Sequence, residues 1–466
     1  MKGSREKGAR GGAPVATGGP HERALVLVPV MTRQRRAEKS ETERNGAATH
    51  SPADRLAEAR GLAEAIGLEI ADALLVPVAE PRPATLLGSG KVEEIKALVA
   101  ELAAGLVIVD HAVSPVQQRN LERAWNAKVL DRTGLILEIF GRRARTREGR
   151  LQVELAHLSY QKGRLVRAWT HLERQRGGAG FLGGPGEAQI ELDRRMLEAR
   201  IQAIKKELEQ VVRTRELHRA GRRKVPYPIV AVVGYTNAGK STLFNRITGA
   251  GVLAVYQVFA TLDPTMREVR LASGRRIILS DTVGFISDLP TMLVAAFRAT
   301  LEEVVEADLV LHVRDISHSE SAAQARDVED VLTGLGIDCV PAHSHILEVL
   351  NKIDLLAPER RTEVEKAARF DERHPCLVSA RTGEGLDALL SAIDARLGRG
   401  HVILTLSLPA EEGRLLAWLY EMGEVLERTE GENGAVTVRV RVAEERMGPL
   451  KSRLTAARIE PAPRAG

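Results

Sequence analysis

The sequence has few cysteines, few aromatic residues and no long apolar segment. Its two cysteines, Cys339 and Cys376, are too few for a disulfide framework or a zinc site, and they fit a reducing cytoplasm. Aromatic residues make up 3% of the chain, which argues against stacking on exposed bases as its main activity. The longest apolar runs fall far short of the roughly 20 residues of a membrane span, and none follows the basic N-terminus. We therefore expect a cytoplasmic protein without a membrane span or a secretory signal.

The charge of the chain is unevenly distributed. Lysine and arginine total 67, aspartate and glutamate total 62, and the net charge is +5. Residues 141–225 hold 21 basic and 10 acidic residues, a net charge of +11, which leaves −6 for the rest of the chain. A basic segment within a mildly acidic protein predicts a polyanion contact that is confined to one element. The alternative is a solvated helical face.

The 466 residues are enough for about three domains. Residues 1–20 are rich in glycine, alanine and basic residues without periodicity, which predicts a disordered tail. In residues 21–140, strand-like and helix-like stretches alternate, as is typical of a small α/β domain with a parallel sheet. Residues 226–398 carry strands followed by helices throughout. Residues 399–466 predict a smaller α+β unit that ends in a helix near 444–456.

Residues 141–225 show heptad spacing in two stretches that are separated by glycines. Six of the ten residues 177–186 are glycine, too many for a helix to continue. The pattern predicts an antiparallel coiled-coil hairpin with a glycine-rich tip, whose arms of ~25 residues would reach roughly 37 Å. A long basic rod suits a deep, negatively charged site. The simpler alternative is a hairpin that only packs against the rest of the protein.

The apolar stretch 229–233 is followed by a glycine-rich loop and an apolar-periodic helix. The loop matches G-x-x-x-x-G-K-S in the strand–loop–helix context of a phosphate-binding loop. Backbone N–H groups of such a loop point at phosphate oxygens, Lys240 reaches the β- and γ-phosphates, and the Ser241 hydroxyl suits Mg²⁺. The residues of this phosphate loop are Gly234, Tyr235, Thr236, Asn237, Ala238, Gly239, Lys240, Ser241 and Thr242. A similar stretch at 88–91 has Thr85 in place of the first glycine, and it predicts only a turn and a helix start.

A second motif, D-x-x-G, begins 41 residues after Lys240, at the end of a predicted strand. An acid in this position can hold Mg²⁺ through water, and the N–H of the glycine can contact a γ-phosphate. The residues of this DxxG segment are Asp281, Thr282, Val283 and Gly284.

Two further segments predict the base. The carboxylate of Asp354 can accept two hydrogen bonds from the N1–H and N2–H₂ edge of guanine, an edge that adenine lacks. A backbone N–H near Ser379 can contact the guanine O6. The residues expected around the base are Asn351, Lys352, Ile353, Asp354, Ser379, Ala380 and Arg381. The four motifs in this order predict a module that binds GTP and hydrolyses it to GDP and phosphate.

Three positions near the phosphates leave alternatives open. Either Thr261 or Thr265 can close on Mg²⁺ and the γ-phosphate, and spacing alone does not choose between them. Phe285 stands where many GTPases have a glutamine that orients the attacking water, so we expect slow intrinsic hydrolysis unless a partner orders that water. Asn237 can help to coordinate a potassium ion (K⁺) near the phosphates, or it merely fits the turn.

The chain resembles the HflX family of ribosome-associated GTPases, which belong to the translation-factor-related P-loop GTPases. The resemblance covers about residues 80–400. It is carried by DHAVSP, QRNL, VLDRT, ARTREG, LQVELA and GPGE, and then by GYTNAGKST, FATLDPT and DTVGF.

The resemblance implies a cytoplasmic GTPase that binds the large ribosomal subunit and splits ribosomes after stress. It implies that the hairpin 141–225 contacts ribosomal RNA near the peptidyl-transferase region. It places the Mg²⁺ ligands at Ser241 and Thr261, and the first switch at Phe259, Ala260, Thr261, Leu262 and Asp263. We expect Lys240, Thr261 and Gly284 to carry the reaction in a monomeric protein.

Two alternatives remain at this point. The protein could be an assembly factor for the large subunit that uses GTP as a timer, which immature particles would reveal. It could instead be a signalling switch with a protein effector, although that function gives no reason for a basic hairpin.

Overall fold

The structure is a computed structural model of the chain. It describes residues 23–32, 50–175, 185–222, 227–249, 259, 265–288, 298–340, 345–398, 401–409, 413–431, 435–443, 447, 450 and 458–461. The predicted disordered tail, residues 1–20, lies outside this part of the chain. The chain divides into two compact units, Met1–Arg35 with Pro52–Leu135, and Arg36–Ser51 with Ile136–Gly466.

The first unit contains a parallel sheet with helices between its strands. Its elements are β1 (Arg23–Met31), α1 (Pro52–Glu64), β2 (Glu69–Val78), α2 (Ser89–Glu101), β3 (Leu106–Val109), α3 (Pro115–Trp125) and β4 (Lys128–Asp131). The strand order is β2-β1-β3-β4, and all three pairings are parallel. Parallel neighbours need a crossover long enough to hold a helix, which is why strands and helices alternate here. The predicted α/β fold with a parallel sheet is confirmed.

Three helices follow: α4 (Arg132–Arg143), α5 (Arg147–Gln175) and α6 (Pro185–Arg222). Helices α5 and α6 form the predicted antiparallel hairpin. Glu154 lies 2.8 Å from Arg200, and Lys162 lies 2.9 Å from Glu198, so residue numbers rise along one helix as they fall along the other. The heptad residue Ile204 is fully buried, as expected for a residue of the apolar stripe of such a hairpin.

The glycine-rich turn ends earlier than the predicted range 177–186. Helix α6 begins at Pro185 and therefore includes Gly186, whereas 176–184 lie outside the described residues. Proline is favoured in the first turn of a helix because its missing N–H would have no partner there. Within the residues that the structure describes, no helix is both long enough and apolar enough to cross a membrane.

A six-stranded sheet lies in the second unit. Its elements are β5 (Ile229–Gly234), α7 (Lys240–Thr248), β6 (Thr265–Arg270), β7 (Arg276–Asp281), α8 (Arg298–Val305), β8 (Leu309–Asp315), α9 (Ser321–Gly334), β9 (Ile346–Asn351), α10 (Pro358–Phe370), β10 (Cys376–Leu377) and α11 (Leu386–Gly398). The strand order is β10-β9-β8-β5-β7-β6. Every pairing is parallel except that of β6 with β7.

The prediction that every strand of 226–398 is followed by a helix is wrong for β6. This strand connects directly to β7 through a turn at Gly274, whose φ is +85°. Antiparallel neighbours can be joined by a short turn, whereas parallel neighbours cannot. The pairing places Thr265, the first residue of β6, opposite Asp281.

The parallel strands bring their carboxyl ends to one edge of this sheet. Strands β5, β7, β8 and β9 end at Gly234, Asp281, Asp315 and Asn351. In open α/β sheets, ligands bind outside this edge. Motifs that are far apart in the sequence therefore meet there.

The C-terminal residues form a third, antiparallel sheet. Its elements are β11 (His401–Leu408), α12 (Gly413–Met422), β12 (Glu424–Glu430), β13 (Val436–Ala443) and β14 (Arg458–Pro461). The strand order is β12-β13-β11-β14. Strand β14 was not predicted. Of the predicted helix near 444–456, only Met447 and Leu450 are described, and both are helical.

Candidate nucleotide-binding site

The phosphate loop joins β5 to α7 in a conformation that depends on two glycines. Gly234 has a φ of +151° and Gly239 a φ of +94°. A Cβ atom at Gly234 would collide with the carbonyl oxygen of Val313, and one at Gly239 would collide with the side-chain nitrogen of Asn351. Only glycine fits both the dihedral angles and the space. The loop therefore curls as tightly as a phosphate cradle requires.

Lys240 is the buried cation of the loop. Its ammonium group donates hydrogen bonds to the carbonyl oxygens of Gly234, at 3.0 Å, and Tyr235, at 2.8 Å. Burial lowers the pKa of Lys240 to about 8, although the negative charge of Asp281 acts in the opposite direction. Phosphate oxygens in the cradle would reverse this shift, because they add negative charge beside the ammonium group.

Ser241 and Asp281 lie side by side at the start of α7 and the end of β7. The Ser241 hydroxyl donates a hydrogen bond of 2.8 Å to Oδ2 of Asp281. Asp281 is fully buried. A hydroxyl and a carboxylate are hard oxygen ligands of the kind that Mg²⁺ prefers, so these two residues fit a magnesium site.

The DxxG segment packs directly on the phosphate loop. The N–H of Thr236 donates to the carbonyl of Phe285 at 2.7 Å, and the N–H of Phe285 donates to the carbonyl of Gly234 at 3.1 Å. A Cβ at Gly284 would lie 2.8 Å from Cγ2 of Thr236 and 3.0 Å from Nζ of Lys240. Gly284 therefore stands beside the lysine, where a side chain would be crowded.

Asn351 connects the phosphate loop with the loop after β10. Its side-chain nitrogen donates to the carbonyl of Ala238 at 2.8 Å, and its side-chain oxygen accepts from the N–H of Ala380 at 3.0 Å. The predicted base-binding carboxylate is also fixed, because the Ser379 hydroxyl donates to Oδ1 of Asp354 at 2.6 Å. These contacts bring the predicted phosphate and base segments to one edge of the sheet.

Several predicted site residues stand apart from this network. Ala260, Thr261, Leu262 and Asp263 lie outside the described residues. Phe259 is described, and its buried ring packs edge-on against Phe140 of α4, with 4.6 Å between the ring centroids. Its φ of +57° is unusual for a bulky residue. Asn237 is exposed and has a φ of +58°, which asparagine tolerates better than most residues.

Sequence reasoning missed two residues that support the site. Asp315, at the end of β8, accepts a hydrogen bond of 2.6 Å from Lys352. Arg246, on α7, donates to the carbonyl of Thr382 at 2.9 Å and so braces the loop after β10. The position of Asp315 at a strand end was a usable signal, because Asp281 and Asn351 have the same position. No local pattern marked Arg246.

Together these groups provide backbone N–H donors, one buried cation, two hard oxygen ligands and a carboxylate at the far end. This set suits a nucleotide with a polyphosphate chain. The buried lysine and the loop would stabilise negative charge, and the carboxylate would accept hydrogen bonds from a base.

Four family models match successive parts of the chain. By their descriptions they are "GTP-binding GTPase N-terminal" at residues 53–141, "GTP-binding GTPase Middle Region" at 143–222, "50S ribosome-binding GTPase" at 229–352 and "HflX C-terminal domain" at 364–462. The GTPase HflX of Magnetococcus marinus is 51% identical to the chain over 400 residues, which cover 86% of this chain and 90% of that protein. The chain belongs to the HflX family of GTPases. It is therefore a GTPase.

Other HflX proteins show similar agreement over most of their length. The GTPase HflX of Escherichia coli is 46% identical over 390 residues, which cover 83% of this chain and 89% of that protein. The GTPase HflX of Caldanaerobacter subterraneus is 43% identical over 406 residues, which cover 87% of this chain and 90% of that protein. A crystal structure of a GTP-binding protein from Sulfolobus solfataricus with GDP matches more weakly. It is 23% identical, covers 80% of this chain and 98% of that chain, and has a TM-score of 0.41.

Proposed function

We propose that this HflX-family GTPase acts on the large ribosomal subunit in the cytoplasm, as a monomer, and splits or rescues stalled or idle ribosomes under stress. The observation that carries the proposal is one chain that combines a GTPase site with a long, basic, antiparallel hairpin. The match to a family model described as "50S ribosome-binding GTPase" supports the ribosome as the partner.

The site residues divide the work of the GTPase reaction. Ser241 and Thr261 would hold Mg²⁺, with Asp281 hydrogen-bonded to Ser241 behind it. When bound, the metal ion would neutralise charge on the β- and γ-phosphates. Lys240 would exchange its two carbonyl partners for phosphate oxygens, and the Gly284 N–H would face the γ-phosphate. Phe285 cannot orient water, so hydrolysis by the chain alone should be slow and stimulated by ribosomes.

The hairpin supplies the charge for the partner. Residues 141–225 carry a net charge of +11 in a chain whose total is +5. Ribosomal RNA is a polyanion, and a basic rod can neutralise its phosphates in a groove too narrow for a globular domain. We place the glycine-rich segment 177–184, which precedes α6, at the deepest point of this contact. Nucleotide state would control the contact by ordering both switches of the GTPase site.

Asn237 has a second proposed role. Its exposed position in the phosphate loop would let its side-chain oxygen coordinate potassium beside the phosphates. Hydrolysis should then be faster in potassium than in sodium buffer. Equal rates in the two buffers would leave Asn237 as a residue that only fits the turn.

Co-sedimentation with purified large subunits tests the proposal. The full chain is mixed with subunits and either a non-hydrolysable GTP analogue or GDP, at two salt concentrations. We expect binding that requires the GTP analogue and weakens as salt rises. A splitting assay on intact ribosomes then follows.

Two other outcomes would contradict the proposal. If neither nucleotide supports binding to mature subunits, the GTPase has a different partner. If binding is confined to immature particles, the protein is a GTP-timed assembly factor for the large subunit.

A further inference from the structure

Phe285 cannot orient the attacking water, so other parts of the site must set the geometry of hydrolysis. Its side chain is only 1% exposed and lies where a water-orienting glutamine would otherwise stand. The geometry of hydrolysis then depends on the backbone of the DxxG segment, which must hold the Gly284 N–H at the correct distance from the phosphates. Gly284 is close to Lys240 and Thr236, so a small displacement of this segment changes the site.

Tyr235 ties this backbone to the phosphate loop. Tyr235 and Phe285 form a parallel bridge, and the main-chain hydrogen bonds on either side of it are 2.7 Å and 3.1 Å long. The Tyr235 hydroxyl adds a third bond, because it accepts from the N–H of Ser287 at 2.8 Å. One side chain in the phosphate loop thus extends the bridge two residues beyond Phe285.

The Tyr235 ring stacks with the ring of His50. The two ring centroids are 6.4 Å apart, with an interplanar angle of 30°. Both nitrogens of His50 contact acids of the α9 region, at 2.7 Å for Glu320 and 2.8 Å for Asp327. Glu320 also accepts the backbone N–H of Ser51.

His50 and its two acidic partners are largely buried, which restricts the movement of the His50 ring. The side chains of His50, Glu320 and Asp327 are 18%, 9% and 27% exposed. A histidine between two carboxylates is held as the imidazolium, which donates from both nitrogens. It therefore has little freedom to leave the tyrosine ring.

We infer that Tyr235 is a positioning residue for GTP hydrolysis, whose hydroxyl holds the backbone that directly follows the DxxG segment, at Ser287, on the phosphate loop, and that His50 stacks against the tyrosine ring and limits its movement. The inference rests on the proposed role of the Gly284 N–H at the γ-phosphate. It is independent of the ribosomal partner.

Tyr235→Phe tests the hydroxyl, because it removes one acceptor and keeps the ring. We expect kcat for GTP hydrolysis by the full chain to fall about fivefold to tenfold, the effect of one lost buried hydrogen bond. KM for GTP and the Kd for GDP should stay within about twofold, since the hydroxyl bonds the Ser287 N–H, beyond the DxxG segment. Tyr227→Phe, the same change at a tyrosine outside the loop, should leave all three constants unchanged.

A second readout needs no turnover. Hydrogen exchange of the Ser287 amide, measured in the nucleotide-free chain, should be about fivefold faster in Tyr235→Phe and unchanged in Tyr227→Phe. Unchanged exchange and unchanged kcat would overturn the inference. Equal losses in kcat and in nucleotide affinity would also overturn it, because Tyr235 would then be a binding residue.

A double-mutant cycle tests the role of His50. His50→Gln should lower kcat about twofold to threefold, and this loss should largely vanish in the Tyr235→Phe background. His157→Gln, on the helical hairpin, is the matched control. If His50→Gln lowers kcat by the same factor in the Tyr235→Phe background, His50 does not act through the tyrosine hydroxyl.

If the wild-type chain binds no fluorescent GDP, the assignment of the site itself fails. If GDP binds normally and Tyr235→Phe changes neither kcat nor the exchange of the Ser287 amide, only the positioning role of Tyr235 is refuted.

Discussion

At the scale of single residues, the predicted base-binding end of the site depends on one oriented carboxylate. The Ser379 hydroxyl fixes Oδ1 of Asp354, and Asn351 fixes the neighbouring loop through Ala380. The carboxylate is therefore held in place by contacts within the protein, which limits the entropy that binding must offset.

Changing Asp354 to asparagine should change the preferred base. The new amide nitrogen would donate toward the base, where guanine also donates and xanthine has a carbonyl. We expect GTP affinity to fall by at least about tenfold, since one charge-assisted pair is worth roughly 1.5–3 kcal/mol, and xanthosine triphosphate to bind better than GTP. Competition against a fluorescent nucleotide measures both affinities. Unaltered GTP affinity would refute the guanine assignment.

Gly239 of the phosphate loop should not tolerate replacement by alanine. Alanine there would be strained at a φ of +94°, and it would displace Asn351 from Ala238 and Ala380. Loss of buried hydrogen bonds at about 1–3 kcal/mol each predicts at least a tenfold to hundredfold loss of GDP affinity. Gly274→Ala is the matched control, because its φ is +85° but nothing lies within 4 Å of the added Cβ. An equal loss of GDP affinity in the two variants would show that backbone strain, and not the collision with Asn351, causes the loss.

His50 should make stability depend on pH above neutrality. Hydrogen bonds to Asp327 and Glu320 outweigh burial and raise the pKa of His50 to about 9. The raised pKa means that the contribution is fully present below about pH 6.5 and is lost as pH rises through about 9. Glu320, directly before α9, Asp327 of α9 and the Tyr235 ring are the groups that face it.

The free energy of unfolding should therefore differ between wild type and His50→Gln by up to about 2 kcal/mol at pH 6, discounted for partial exposure. Urea titrations at several pH values measure the difference, which should approach zero by about pH 10. A difference that is constant with pH would mean that packing, and not charge, is what His50 contributes.

At the scale of secondary-structure elements, the hairpin is held by its apolar seam. Ile204, on the predicted apolar seam, is fully buried. The ion pair of Arg200 with Glu154 is half exposed and worth at most about 1 kcal/mol. Burial and not charge should decide whether the two helices stay together.

Two matched variants separate these contributions. Ile204→Ala should destabilise the hairpin by about 2–5 kcal/mol, the usual cost of truncating a buried isoleucine. Arg200→Ala should cost no more than about 1 kcal/mol. Hydrogen exchange across α5 and α6 reports both values, and equal losses would contradict an apolar seam.

Element prediction succeeded where the signal is local and periodic. The hairpin arms follow from apolar residues at heptad spacing, and the parallel sheets follow from alternating strands and helices. Strand β14 was missed because the four residues Arg458–Pro461 are too few for an alternating pattern to be recognised, and they pair with β11, which lies far earlier in the chain. The helix start at Pro185 was missed because neighbouring glycines concealed it.

At the scale of the whole molecule, the excess positive charge lies in the hairpin region and not in the part of the chain that carries the GTPase site. The hairpin region holds +11 and the remainder −6, so changes on the hairpin should weaken the proposed RNA contact and leave the GTPase site intact. The exposed residues Lys205, Lys206 and Arg213 on α6 offer such a change.

Replacing these three residues with glutamine should weaken binding to large subunits more at low salt than at high salt. If each contacts a phosphate, the slope of log K against log salt should become shallower by about 2–3. Co-sedimentation across a salt series measures the slope, while intrinsic GTP hydrolysis should not change.

The matched control removes three exposed cations from α10, in the variant Arg360→Gln, Lys366→Gln and Arg369→Gln. This control should leave the slope as in the wild type. The same reduction in both variants would mean that net charge, and not the hairpin, determines binding.

The sequence by itself determined the four nucleotide motifs, the α/β class and the basic hairpin, and it predicted guanine as the base. Each of these depends on residue types at short spacings, where local geometry leaves few choices. Only the tertiary structure decided how the motifs contact one another. Asn351 meets Ala238 across 113 residues, and His50 meets Glu320 across 270. Such partners are selected by strand order and by loop closure over long stretches of chain, which no local pattern encodes.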